Sequence, residues 1–203
     1  MMRVEIWFEF ASTYSYLTVA RAEALLQSKG VDYAWNPFLL GPIFQSKGMT
    51  TSPFVLDPVK GAHMWRDMER RAERYGLPFL RPEIFPANGL LSARVTTAAR
   101  EEPWCGAFAR AVFAAQFARG EDISSADVVG SALEACGADP SDWLNRAQDP
   151  ETKAALRART EEAQRLGIFG APSFVVDGEL FWGDDRLEDA IDWAKRGAPQ
   201  TAA

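Results

Sequence analysis

The chain carries a single histidine and two cysteines among its 203 residues. A metal centre built from imidazole and thiolate takes three or four such ligands, and any Ser–His chemistry would rest on His63 alone. His63 falls in a helical pattern beginning near Lys60 and reads as part of an amphipathic surface. Cys105 and Cys136 stand in separate Ala-rich helical stretches, so they read as buried small side chains, neither a redox pair nor metal ligands. A basic excess is also missing. With 22 Lys and Arg against 28 Asp and Glu, the formal net charge is −6, and nucleic acid calls for clustered cations. The basic residues of WRDMERRAERYG are interleaved with acids, the mark of a solvated helix face. No apolar run approaches the roughly 18 residues of a membrane helix. The start MMRVEIWF moves directly into a strand pattern without an apolar leader, which predicts a cytoplasmic protein. What is present is apolar mass: 47% hydrophobic residues and seven tryptophans suffice for one large domain, or for one domain with an insertion.

In VEIWFEF (4–10), Val4, Ile6, Phe8 and Phe10 alternate with Glu5, Trp7 and Glu9, the period of a half-buried strand. The pattern turns helical at Ser12, with Leu17, Ala20, Ala24 and Leu25 at helical spacing and Gly30 as a stop. Val31, Tyr33 and Trp35 then alternate, completing a βαβ unit. At the other end SFVV, the turn pair Asp177-Gly178 and ELFWG predict a hairpin. A last helix follows with Leu187, Ala190, Ile191 and Ala194 on one face, capped by Asp184 or Asp185. Between these halves, PFVLDPVKGAHMWRDMERRAERYG, LLSARVTTAAREEP, WCGAFARAVFAAQFARG, SSADVVGSALEACG, PSDWLNRAQ and PETKAALRARTEEAQRLG read as helices bounded by Gly, Pro, Ser or Asp. The fold class is therefore α/β: βαβ, a long helical stretch, then ββα. GAPQTAA at the C-terminus reads as disordered.

Six segments, in this order, carry a resemblance over nearly the whole chain: FEFASTYSYL, LLGPIF, TSPFVLDPVKGAHMWRDMERRA, FPANGLLSARV, AVFAAQFARGEDIS and LGIFGAPSFVVDGELFWGDDRLEDAIDWA. Together they resemble the 2-hydroxychromene-2-carboxylate isomerases, relatives of kappa-class glutathione transferases within the disulfide-oxidoreductase-like group. The S-x-x-S-Y corner, the G-A-P strand start and the W-G-D-D-R-L-E helix start are its most specific elements. The resemblance implies a thioredoxin fold (1–42 and 165–203) interrupted by a large all-helical insertion (43–164). It also implies a homodimer that uses glutathione to isomerise a small aromatic carboxylate, 2-hydroxychromene-2-carboxylate, to trans-o-hydroxybenzylidenepyruvate. A kappa-like glutathione transferase and a non-catalytic thioredoxin-like binding module are the alternatives.

In thioredoxin-like chains the strand-to-helix corner ordinarily carries C-x-x-C; here it carries S-x-x-S. A protein dithiol is unnecessary if bound glutathione brings the sulfur, and the corner must then hold a thiolate. Free thiols have pKa near 8.5, which a helix N-terminus and a hydroxyl donor both lower. The resemblance assigns that donor to Ser12; taken alone, Ser12 reads as an N-cap. Thr13 stands where the family commonly has proline. The resemblance further implies a cis peptide before Pro172, which turns the Ala171 backbone toward the cysteinyl backbone of glutathione. It implies that Gly183, Asp184 and Asp185 hold the γ-glutamyl end, with Asp185 matching the family position best. For substrate it points to Lys60 as a carboxylate partner, to Asn88 at the pocket border and to Gln45, where relatives often have lysine. By their own chemistry, Lys60 reads equally as surface and Asn88 as a turn residue. Trp7, Phe8, Phe44, Phe54 and Trp65 are candidates to line an apolar pocket.

Overall fold

A computed structural model describes residues 2–196, so GAPQTAA lies outside the described residues. Strand β1 (Val4–Phe8) runs parallel to β2 (Tyr33–Pro37), with helix α1 (Thr13–Lys29) crossing between them. Strand β3 (Ser173–Val176) lies antiparallel to β1, and β4 (Glu179–Trp182) antiparallel to β3, giving the order β2-β1-β3-β4. Asp177 and Gly178 turn the hairpin with φ of 51° and 83°, the left-handed pair that such a tight turn needs.

Between β2 and β3 the chain is helical: α2 (Leu40–Ser46), α3 (Pro53–Leu56), α4 (Pro58–Tyr75), α5 (Leu90–Ala98), α6 (Cys105–Arg119), α7 (Ala126–Glu134), α8 (Pro140–Arg146) and α9 (Pro150–Arg165). A short 3-10 turn (Asp184–Arg186) then leads into α10 (Leu187–Arg196), which buries Leu187, Ala190, Ile191 and Ala194 as the periodicity predicts.

Four local expectations are corrected. The segment from Pro53 to Tyr75 is two helices, because Asp57 caps a new start through the amides of Val59 and Lys60, and Pro58 supplies no amide to continue the old one. Helix α2 is an element that the glycine and proline of LLGPIF conceal. Strand β1 is buried on both faces: Trp7 packs with Phe38, Leu40, Ile43, Ala163, Ile168 and Val175 on the side opposite Val4, Ile6 and Phe8. On α1 the buried positions include Ala22 and Leu26, while Ala24 is exposed, because the helix packs against α4, α6 and α10.

The core that positions the site is aromatic. Phe113 of α6 packs 5.0 Å from Phe10 in a tilted pair and also meets Phe8 and Tyr16. Tyr16 continues onto Phe117 at 5.6 Å. This ladder ties the end of β1 and the start of α1 to the helical layer. Gly89 belongs to the same junction, since a Cβ there would come within 2.6 Å of the Phe10 Cβ.

Candidate active site

Where β1 gives way to α1, a cavity of about 1060 Å³ opens between the sheet edge, α1, the α2–α4 region and the 3-10 turn. Ser12 stands on its wall with φ −80° and ψ 118°, the extended conformation of an N-cap, and its Oγ accepts from the Ser15 amide at 3.2 Å. The same hydroxyl donates its proton to the Ala171 carbonyl at 2.9 Å. The Ala171–Pro172 peptide is cis, Ala171 lines the cavity, and the Pro172 carbonyl accepts from the Gly183 amide at 3.0 Å. Ser15 is fully buried and its Oγ has no partner among the described residues, so it faces the interior and not the cavity.

Gly183 has φ of 114°, a conformation reserved for glycine, and a Cβ there would meet Asp185 Oδ1 at 2.7 Å. That close approach lays the Asp185 carboxylate against the Gly183 backbone on the cavity wall. Asp185 is half-exposed and lies 3.6 Å from Arg186.

Asp184 is different. Its carboxylate is wholly buried, accepting from Thr18 at 2.9 Å, Tyr75 at 3.0 Å and Arg21 at 3.2 Å, with Arg71 at 3.6 Å. It joins the 3-10 turn to α1 and α4; the residue lines the cavity, and its carboxylate oxygens are engaged by these side chains of the protein. Neither aspartate makes a side-chain cap bond, because Gly183 occupies the cap position and the 3-10 turn precedes α10.

Lys60, in the first turn of α4, lines the cavity. Gln45 is exposed on α2 outside the cavity wall, while its neighbours Phe44 and Lys47 belong to it. Asn88 is also outside: its side-chain oxygen accepts from the Leu90 amide at 3.1 Å, the turn chemistry open to it from the start. Of the aromatic candidates, Phe44 and Phe54 line the cavity; Trp7 and Phe8 are core, and Trp65 packs edge-on to Phe85 at 4.8 Å. Sequence reasoning missed Phe169 and Trp182, in tilted contact at 4.8 Å on the rim, and Lys47, whose ammonium lies 5.4 Å from the Phe169 ring. IFGAP and ELFW gave only the signal of apolar residues flanking the G-A-P motif.

Glu9, by its sequence pattern a polar residue of an alternating strand, also belongs to the site. It lines the cavity one residue beyond β1, and burial raises its carboxyl pKa from 4.5 to about 7 against a smaller opposing bond from the Ala11 backbone. A carboxyl with a raised native pKa lets stability fall as pH climbs from the unfolded value toward the native one. A shift of that size amounts to about 3 kcal/mol. Glu9→Gln is accordingly expected to melt above the parent at about pH 8 and level with it near pH 4.5; equal differences at both would refute the assignment.

The two cysteines are free, and neither lines the cavity. Burial pushes the Cys105 thiol to about 12 and raises that of Cys136, so neither is poised as a nucleophile. Among the described residues no group of His, Cys, Asp and Glu could hold a metal, and no helix is long and apolar enough to cross a membrane.

The mixed sheet, the cis-proline facing a helix N-terminus and the helical segment between the two halves define a protein of the thioredoxin-fold class whose corner has exchanged thiols for hydroxyls. The sequence model for the DSBA-like thioredoxin domain matches residues 3–192, and the chain belongs to that family. It is 26% identical over 187 residues to a 2-hydroxychromene-2-carboxylate isomerase of Sphingobium xenophagum, covering 91% of this chain and 94% of that one. It is 30% identical over 205 residues to human glutathione S-transferase kappa 1, covering 91% and 87%. The solved structure of a 2-hydroxychromene-2-carboxylate isomerase superimposes with a TM-score of 0.86 at 24% identity over the whole of both chains.

Proposed function

We propose that the protein is a glutathione-dependent isomerase that converts 2-hydroxychromene-2-carboxylate to trans-o-hydroxybenzylidenepyruvate. The observation that carries this reading is the convergence of Ser12, Ala171, Gly183, Asp185 and Lys60 on one large cavity that holds no cysteine. The donor set suits the tripeptide: Lys47 and Lys60 offer cations for carboxylates, and the half-exposed Asp185 offers an anion for an ammonium. When bound, glutathione supplies a sulfur nucleophile that adds reversibly to a conjugated double bond, allows rotation and leaves again.

The protein's part is to hold, orient and exclude water. Ser12 has the most to do. A hydroxyl proton turns about the Cβ–Oγ bond without moving the oxygen, so Ser12 keeps its cap bond to Ser15 while redirecting its proton from Ala171 to a sulfur anion. The Ala171 carbonyl is then free to accept from a ligand amide, in the manner of an added strand. Phe44, Phe54, Phe169 and Trp182 offer the apolar wall an aromatic substrate requires.

The kappa-class relatives favour a second reading, in which the same site releases a stable thioether. Turnover with substoichiometric glutathione separates the two. Many products per glutathione with no net thiol loss are expected; thiol consumed in step with product would establish the transferase, and full activity without glutathione would defeat both readings.

A further inference from the structure

We infer that Glu9 is the proton acceptor of the thiol site: its carboxylate takes up the thiol proton as glutathione binds and returns it on release. This rests on the glutathione reading and concerns a residue that reading leaves without a role.

Position comes first. The Glu9 carbonyl accepts from the Ser12 amide at 2.9 Å, so the two residues belong to one turn, and both line the same cavity. Partners come second. The other carboxylates of the wall are engaged. Asp67, on α4, accepts from Tyr14 at 3.0 Å and lies 3.4 Å from Arg70. Asp184 is saturated as described, and Asp185 lies 3.6 Å from Arg186. The cations facing the cavity are distributed elsewhere. Arg71 from α4 serves Asp184, Arg186 from the 3-10 turn serves Asp185 and Asp189, and Lys47 covers Phe169. Lys60 stands in the exposed first turn of α4. Glu9 alone among these carboxylates has no ion-pair partner among the described residues; only the Ala11 backbone bonds to it.

A carboxylate left without a cation, enclosed and yet open to the cavity, is destabilising as an anion and gains by accepting a proton. Its raised pKa brings it toward that of a thiol, where proton transfer is nearly isoergic. The balance is simple. Glu9 gains an O–H bond as the S–H bond breaks, the electron pair stays on sulfur, and one negative charge moves from oxygen to sulfur. The two acids then titrate as a coupled pair sharing one proton, and the cavity never holds two adjacent anions.

The test counts protons. Glutathione is titrated into the parent and into Glu9→Gln in weakly buffered indicator solution at about pH 8, where Glu9 is ionised, while thiolate is read by its ultraviolet absorbance. S-methylglutathione, lacking the thiol proton, provides the baseline for each. The parent is expected to show bound thiolate with almost no proton released, and Glu9→Gln the same thiolate with about one proton released per site. Thiolate accompanied by one released proton from the parent overturns this inference alone, and that count stands even if the variant folds poorly. Absence of thiolate absorbance in the parent overturns the glutathione reading together with it.

Discussion

Ser12→Ala is expected to lower turnover about ten- to a hundredfold and to raise the pKa of bound glutathione, because a hydrogen bond to a charged partner is worth about 1.5–3 kcal/mol. The same substitution removes the acceptor for the Ser15 amide, which costs about 1 kcal/mol of helix capping. Activity loss and stability loss therefore need separating, and Ser12→Asp does so. Aspartate is as good a cap as serine, yet its carboxylate donates nothing and repels a sulfur anion. It should restore the melting temperature lost in Ser12→Ala while binding thiolate less well than alanine does. An absorbance titration of bound thiolate that is the same in the parent and both variants would leave Ser12 a helix cap and nothing more.

Asp184→Ala is expected to destabilise the fold by about 3–5 kcal/mol, the loss that follows when one partner of a buried charged cluster is removed. In a domain of this size that lowers the melting temperature on the order of 10 °C. The carboxylate meets Thr18 and Arg21 from α1 and Arg71 and Tyr75 from α4. Arg21 retains Glu188 as an alternative partner, at 2.5 Å, whereas Arg71 keeps no other carboxylate among the described residues. Freed from Asp184, Arg71 should shift within the cavity wall, raising the glutathione KM beyond what the stability loss explains. Asp184→Ser discriminates between roles. A helix cap would be rescued by serine to within about 1 kcal/mol, and that outcome would falsify the buried cluster; the cluster predicts that serine performs hardly better than alanine.

Much of the fold is local, and local physics is legible. Pro58, Pro140 and Pro150 open α4, α8 and α9 with an aspartate before each, Gly30, Gly76 and Gly120 close α1, α4 and α6 in the left-handed conformation, and Asp177-Gly178 turns the hairpin. The period of α10 matches its buried face residue for residue, because that helix packs on one side only. Where an element is covered on both sides the pattern misleads, as it does for Trp7 in β1 and for Ala24 in α1.

The site divides along the same line. By itself the sequence determined the order of the strands and of most helices, the hydroxyl corner at Ser12, the G-A-P strand start at Ala171 and Pro172 and the glycine turn at Gly183, because each depends on backbone preferences within a few residues. Only the tertiary structure decided which carboxylates are free to act. Asp184 is silenced by Thr18 and Tyr75, 166 and 109 positions away in the chain, while Glu9 is left without a cation. Asn88 and Gln45 fall outside the cavity, and Lys47, Phe169 and Trp182 enter it. Ionisation and access depend on what folding packs around a group, and those neighbours come from segments that the linear order keeps far apart.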